Sequence, residues 1–149
     1  MNRIRRSLSL TLLASVLALG ACAAPPVASS SVAISAKLAG SSEVPANASA
    51  GTGALEASFD KQTLLLTWSV SYSGLSGPVK AGHFHGPAVA GQNAGVALGF
   101  SGSMDSPIKG SATLTAAQAA DLLAGKWYVN LHTAASPAGE VRGQATPAP

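Results

Sequence analysis

One cysteine, Cys22, is all that the 149-residue chain contains. A disulfide framework needs pairs and a cysteine-rich zinc site needs several thiolates, so neither is available. Charge is scarce as well: Asp, Glu, Lys and Arg make up 10% of the residues, and aromatics only 5%. That scarcity, with 16 glycines and 9 prolines, excludes a coiled coil or a helical bundle. No apolar run reaches the roughly 20 residues that a membrane-spanning helix needs. The length allows one domain rather than two.

The formal charge of +3 is unevenly placed. Arg3, Arg5 and Arg6 carry all of it. From Cys22 onward, Lys37, Lys61, Lys80, Lys109, Lys126 and Arg142 balance Glu43, Glu56, Asp60, Asp105, Asp121 and Glu140. Nucleic-acid binding needs clustered Lys and Arg, and this neutral part offers none, so no nucleic-acid partner is expected.

Met1 to Arg6 form a basic segment, and Leu8 to Leu19 a short apolar one. The stretch ends in Leu19-Gly20-Ala21-Cys22. This pattern resembles a bacterial lipoprotein signal over 1–21, in which the cysteine is acylated and becomes the new N-terminus. The resemblance implies export, lipidation of Cys22 and membrane attachment through that lipid in the cell envelope, at the outer membrane or cell surface. The alternative is an ordinary secretory signal cut near Ala21 or Ala24. Residues 22–31, small and rich in Ser and Pro, read as a flexible tether. Residues 145–149 (ATPAP) read as a frayed, disordered tail.

Between these ends, residues 32–144 alternate with period two, the signature of strands with one face buried. The alternating sets are Val32–Leu38, Leu55–Phe59, Leu64–Tyr72, Lys80–His85, Val96–Phe100, Ala112–Leu114, Trp127–Thr133 and Glu140–Gln144. Thr115 and Gln118 form a capping-box pattern that predicts a helix over 116–124, ended by Gly125, with Leu122 and Leu123 on its buried side. About eight short strands and one short helix predict an all-β fold, an antiparallel Greek-key-like sandwich or flattened barrel.

The three histidines of the chain stand in two places. In Gly82-His83-Phe84-His85-Gly86-Pro87, residues 83 and 85 of a strand project from one face while Phe84 points inward. His132 belongs to the outward set Tyr128, Asn130 and His132. If the two strands are neighbours, three imidazoles converge on one outer patch; otherwise they are plain surface polarity. Imidazole suits copper, zinc, iron and nickel. The scattered carboxylates make no oxygen cage for calcium. Three histidines with an open position suit copper, or zinc as the alternative. In an exported protein copper is the expected redox metal, able to cycle by one electron with a small oxidant such as superoxide.

The segments HFHGP (83–87) and YVNLHTAASPAGEVRGQ (128–144) resemble the CHRD domain, first recognised in chordin and widespread in exported bacterial proteins. The resemblance covers 32–144 and implies an all-β fold, without fixing an activity. A looser similarity is to copper/zinc superoxide dismutases, which carry a His-x-His pair on the outer face of a Greek-key sandwich and an Arg near the copper. That similarity implies His83, His85 and His132 as metal ligands and Arg142 as a catalytic cation guiding an anionic substrate. With three histidines, no matching Asp cluster and no disulfide, it implies a copper-only variant.

Other residues of the same motifs invite roles. Glu140 would accept an imidazole N–H or make a surface ion pair with Arg142. Asn130 would orient a ligand or be a surface amide, and Tyr128 would support the ligands from behind or be an ordinary strand aromatic. Met104 is a soft-ligand candidate, and Trp68 and Trp127 read as core. The functional expectation is a lipid-anchored copper protein, a superoxide dismutase-like antioxidant active against oxidative stress in the periplasm or at the cell surface. The alternatives are a non-catalytic module binding protein or glycan, and a copper storage or delivery protein.

Overall fold

The structure, a computed structural model, describes residues 30–149. The signal-like segment 1–21, Cys22 with its expected lipidation, and nearly all of the tether lie outside the described residues.

The alternating segments form eight strands: β1 (Ser31–Ala39), β2 (Thr52–Asp60), β3 (Leu65–Ser73), β4 (Val79–His85), β5 (Val96–Gly99), β6 (Ile108–Thr113), β7 (Trp127–Thr133) and β8 (Val141–Pro147). They make one antiparallel sheet in the order β5-β4-β7-β8-β1-β2-β3-β6. β1, β2 and β3 are a meander, and β7 and β8 a hairpin that slots between β4 and β1.

The sheet curls into a half-barrel because its inward side chains need a common interior. Four strands separate β3 from β4 in the sheet, yet the rings of Trp68 (β3) and Phe84 (β4) meet edge to face at 5.5 Å. Phe100 stacks on Trp68 at 5.4 Å and meets Phe84 edge-on at 5.3 Å. Phe84, Val129, Leu131 and Val141 are fully buried there, each the inward member of an alternating pair. Such aromatic pairs contribute about 1 kcal/mol each beyond the area they bury.

The helix α1 (Ala116–Leu123) connects β6 to β7 and packs Ala119 and Leu122 into the core. Its capping box is complete: Thr115 Oγ1 accepts the Gln118 N–H, and Gln118 Oε1 accepts the Thr115 N–H. The Gln118 amide then donates to the Ala97 carbonyl on β5, 3.1 Å away, which satisfies an edge-strand acceptor. Leu122 is fully buried, whereas Leu123 is partly exposed, because an eight-residue helix turns only one stripe inward.

Two expectations are corrected. Residues 145–147 are not a frayed tail but the end of β8: Ala145 is buried opposite Trp127, and Pro147 lies across from Ile34. Strands on both sides hold this segment. The outer face of β7 and β8 is not solvent-facing either. Tyr128, Asn130 and Arg142 are buried on it, because residues 86–95 and 40–51 fold over that face, with Asn93 and Ala88 bonded to Arg142 and Gln144 and Asn47 bonded to the Glu140 carbonyl. Among the described residues, no helix is long and apolar enough to cross a membrane.

Candidate metal centre

Glycines flank the two histidines of β4 by necessity. A Cβ on Gly82 would stand 2.5 Å from the Phe100 ring, and one on Gly86 2.4 Å from the Trp127 ring. Glycine at these two places lets the aromatic core press against β4, while Phe84 anchors it from inside. His83 and His85 are thereby fixed on the opposite face, with their rings 5.4 Å apart.

The register of β4 against β7 completes the group. Ala81 faces His132, His83 faces Asn130, and His85 faces Tyr128. His132 is thus one step diagonal to His83, and His83 Nδ1 lies 3.1 Å from His132 Nε2. One ligand nitrogen from each of His83, His85 and His132 lies within 4.8 Å of the other two. Nitrogens about 2.0–2.1 Å from a tetrahedral metal are roughly 3.3 Å apart, so two are already spaced for an ion and the third needs a small ring adjustment.

Backbone carbonyls choose the tautomers. His85 Nδ1 faces the Ala94 carbonyl at 3.0 Å, and His132 Nδ1 faces the Pro137 carbonyl at 3.0 Å. A carbonyl only accepts, so both Nδ1 atoms carry hydrogen and both Nε2 atoms keep their lone pairs. His85 Nε2 is buried with no hydrogen-bond partner. Metal-bound histidines characteristically donate their second N–H to such an acceptor.

Electrostatics favours the neutral, ligand-ready state. Burial, then the neighbouring His132 and His85, hold the His83 pKa below the usual 6.5. Burial also lowers that of His132, opposed by its bond to Pro137 and reinforced by His85.

The other expected site residues divide. Tyr128 does lie against the centre, its ring parallel to that of His85 at 4.9 Å. Asn130 sits opposite His83 in register, yet it turns toward Glu43, and its Oδ1 is buried without a partner. Arg142 is not an exposed guiding cation: it is 2% exposed, its guanidinium lies 3.3 Å from the Tyr128 ring centre, and it donates to Asn93 Oδ1 and the Gln92 carbonyl. Glu140 does not support an imidazole. Its carboxylate, 1% exposed, accepts from Ser49 Oγ, Ser76 N, Ser76 Oγ and Thr133 Oγ1. Burial alone would raise its pKa, but these bonds prevail and hold it at about 2. Met104 packs at the edge of the core, where its carbonyl accepts the Tyr72 hydroxyl.

Sequence reasoning missed the Ala94 and Pro137 carbonyls, since a backbone acceptor leaves no mark in residue type. It also missed Glu43, buried beside Arg142 and Asn130 although 99 and 87 positions away in the chain. Burial raises the Glu43 pKa to about 7, against the pull of Arg142 and Asn130.

An eight-stranded antiparallel half-barrel with a His-x-His strand beside a His-bearing strand defines an all-β domain with a site able to hold a metal ion. The CHRD domain family model matches residues 34–145, and the chain belongs to that family. No curated protein and no solved structure matches it.

Proposed function

We propose that this CHRD-domain protein binds one copper ion through His83, His85 and His132 and uses it outside the cytoplasm against superoxide. The observation that supports this reading is the convergence of three imidazole nitrogens within 4.8 Å, two of them freed by backbone carbonyls on the far side of their rings. Three neutral imidazoles favour copper over the hard cations that need oxygen donors. Zinc fits the same three nitrogens and is the competing ion. Export and lipid attachment through Cys22 belong to the same reading, supported by the basic-apolar-Cys pattern of residues 1–22.

The chain's own contribution is to hold three nitrogens on rigid strands, lower the pKa of His83 and His132 by burial, and leave the rings only partly covered. Copper held by His83, His85 and His132 would supply one-electron cycling, by which two superoxide anions and two protons would become dioxygen and hydrogen peroxide. Arg142 is buried and bonded to Asn93 and Gln92, so it offers no exposed donor to an incoming anion.

The test uses untagged protein, because a His-tag would bind copper itself. Copper loading to one equivalent, a spin-resonance spectrum with nitrogen couplings and superoxide consumption by the loaded form are expected. His83→Ala and His132→Ala should each weaken copper binding by more than the roughly 10–100-fold of an outer-contact change. Binding at unchanged affinity in both variants would end the proposal. Binding without superoxide consumption would leave copper storage or delivery in its place.

A further inference from the structure

Residues 92–94 form a strap beside the histidine group. Apart from the sheet, the Gln92 N–H donates to the Val89 carbonyl at 3.2 Å and the Asn93 amide to the Val44 carbonyl at 2.8 Å. Gly91 on one side and Gly95 on the other have no atom near where a Cβ would be, and Gln92 and Asn93 are exposed. Yet three side chains of the sheet grip its three consecutive residues. Arg142 donates to the Gln92 carbonyl and, at 2.9 Å, to Asn93 Oδ1. The Tyr128 hydroxyl accepts from the Ala94 N–H at 3.3 Å. His85 Nδ1–H donates to the Ala94 carbonyl.

Among these three side chains, Tyr128 touches both of the others. The Tyr128 ring lies parallel to His85, with an interplanar angle of 3°, and the Arg142 guanidinium sits over that Tyr ring. β4 and β8 flank β7, so His85 and Arg142 reach Tyr128 from strands on either side. Arg142 thus acts on His85 by two routes, through the strap and through the ring.

We propose that Arg142 is a positioning residue of the metal centre, holding the 92–94 strap and the Tyr128 ring so that His85 presents Nε2, and only Nε2, to the ion. The proposal rests on the reading that the histidines hold a metal. It replaces a steering cation with a fixed one. A guanidinium suits the task because its planar fork bonds two acceptors while its face covers an aromatic ring; an ammonium cannot do both.

Imidazole ¹⁵N–¹H NMR of the whole protein, without metal, reads the tautomer of His85 directly. Copper affinity follows from titrating Cu(I) against a chromophoric chelator. The variants are Arg142→Lys, which keeps the charge, Tyr128→Phe, which keeps the ring but drops its bond to the strap, and Asn93→Ala, at an exposed position that threatens the fold least. The parent should show one slowly exchanging Nδ1–H at His85. All three variants should show mixed tautomers and a loss of Cu(I) affinity of about 10–100-fold, the usual effect of removing an outer contact of a ligand. Unchanged His85 signals and affinity in both Tyr128→Phe and Asn93→Ala would overturn the proposal, even if stability fell. A parent that binds no copper would defeat the proposed function instead, while the tautomer comparison would still decide whether Arg142 positions His85.

Discussion

His83 Nδ1 and His132 Nε2 stand 3.1 Å apart although 49 positions separate them in the chain. His132 Nδ1–H is committed to Pro137, so in the metal-free protein its Nε2 is the acceptor and His83 Nδ1 is the donor. A metal ion on these two nitrogens takes the place of that hydrogen bond, and the His83 hydrogen moves to Nε2 rather than leaving the ring. Metal titration in buffers of different ionisation enthalpy is therefore expected to show almost no proton release from His83 and His132 at pH 7.5, where both rings are already neutral. Release of a full proton per ion would contradict this assignment.

The lowered pKa values of His83 and His132 link the centre to folding. Both rings stay neutral in the folded chain at pH values where the unfolded chain, near 6.5, takes up protons. Stability therefore falls as pH drops from above 6.5 toward the lower folded values. Urea unfolding at pH 7.5 and 5.5 is expected to show a smaller pH dependence in His83→Gln than in the parent.

Glu43 works in the opposite direction. Its folded pKa of about 7 lies above the ordinary 4.5, so the folded chain holds a proton that the unfolded chain has lost. Its contribution is present below pH 4.5 and disappears as pH rises through 7. Glu43→Gln, which cannot ionise, should gain in stability relative to the parent between pH 5 and 8, as read by the urea midpoint.

Glu140→Gln separates fold from site. The carboxylate accepts four hydrogen bonds and touches no imidazole, so the amide should cost roughly 2 kcal/mol or more of stability. Copper affinity of the folded variant should match that of the parent. A loss of affinity comparable to His132→Ala would contradict this division of labour.

Gly86→Ala tests the thinness of the histidine strand. Its Cβ would meet Trp127 at 2.4 Å and the Lys126 carbonyl at 2.9 Å, contacts that only a backbone shift relieves. A loss of about 1–3 kcal/mol is expected, with a change in tryptophan fluorescence as Trp127 is displaced.

The inner face was legible because burial of one side of a strand writes itself as alternation, and Phe84 between His83 and His85 is the plainest case. The histidine convergence was legible for the same reason, given adjacency of β4 and β7. The second, polar layer on the outer face was not. Arg142 and Glu140 read as outward and therefore wet; they are outward and buried, because two loops close over them. Period-two patterns report which side of a sheet a residue takes, and they carry no information on what else lies there. The end of β8 was hidden by its composition: Ala-Thr-Pro-Ala-Pro looks like linker, yet Ala145 is fully buried opposite Trp127.

The register also gives the domain a front and a back. Ile34 lies across from Pro147, so β1 begins at the end of the sheet where β8 finishes, while Leu131 pairs with Val141 and places His132 just past the start of β8. Some six to ten strand positions, on the order of 20–30 Å, separate Ser31 from the level of the histidines. A surface that grips the chain ahead of Ser31 would hold the imidazoles at arm's length, turned toward whatever diffuses in from the opposite side.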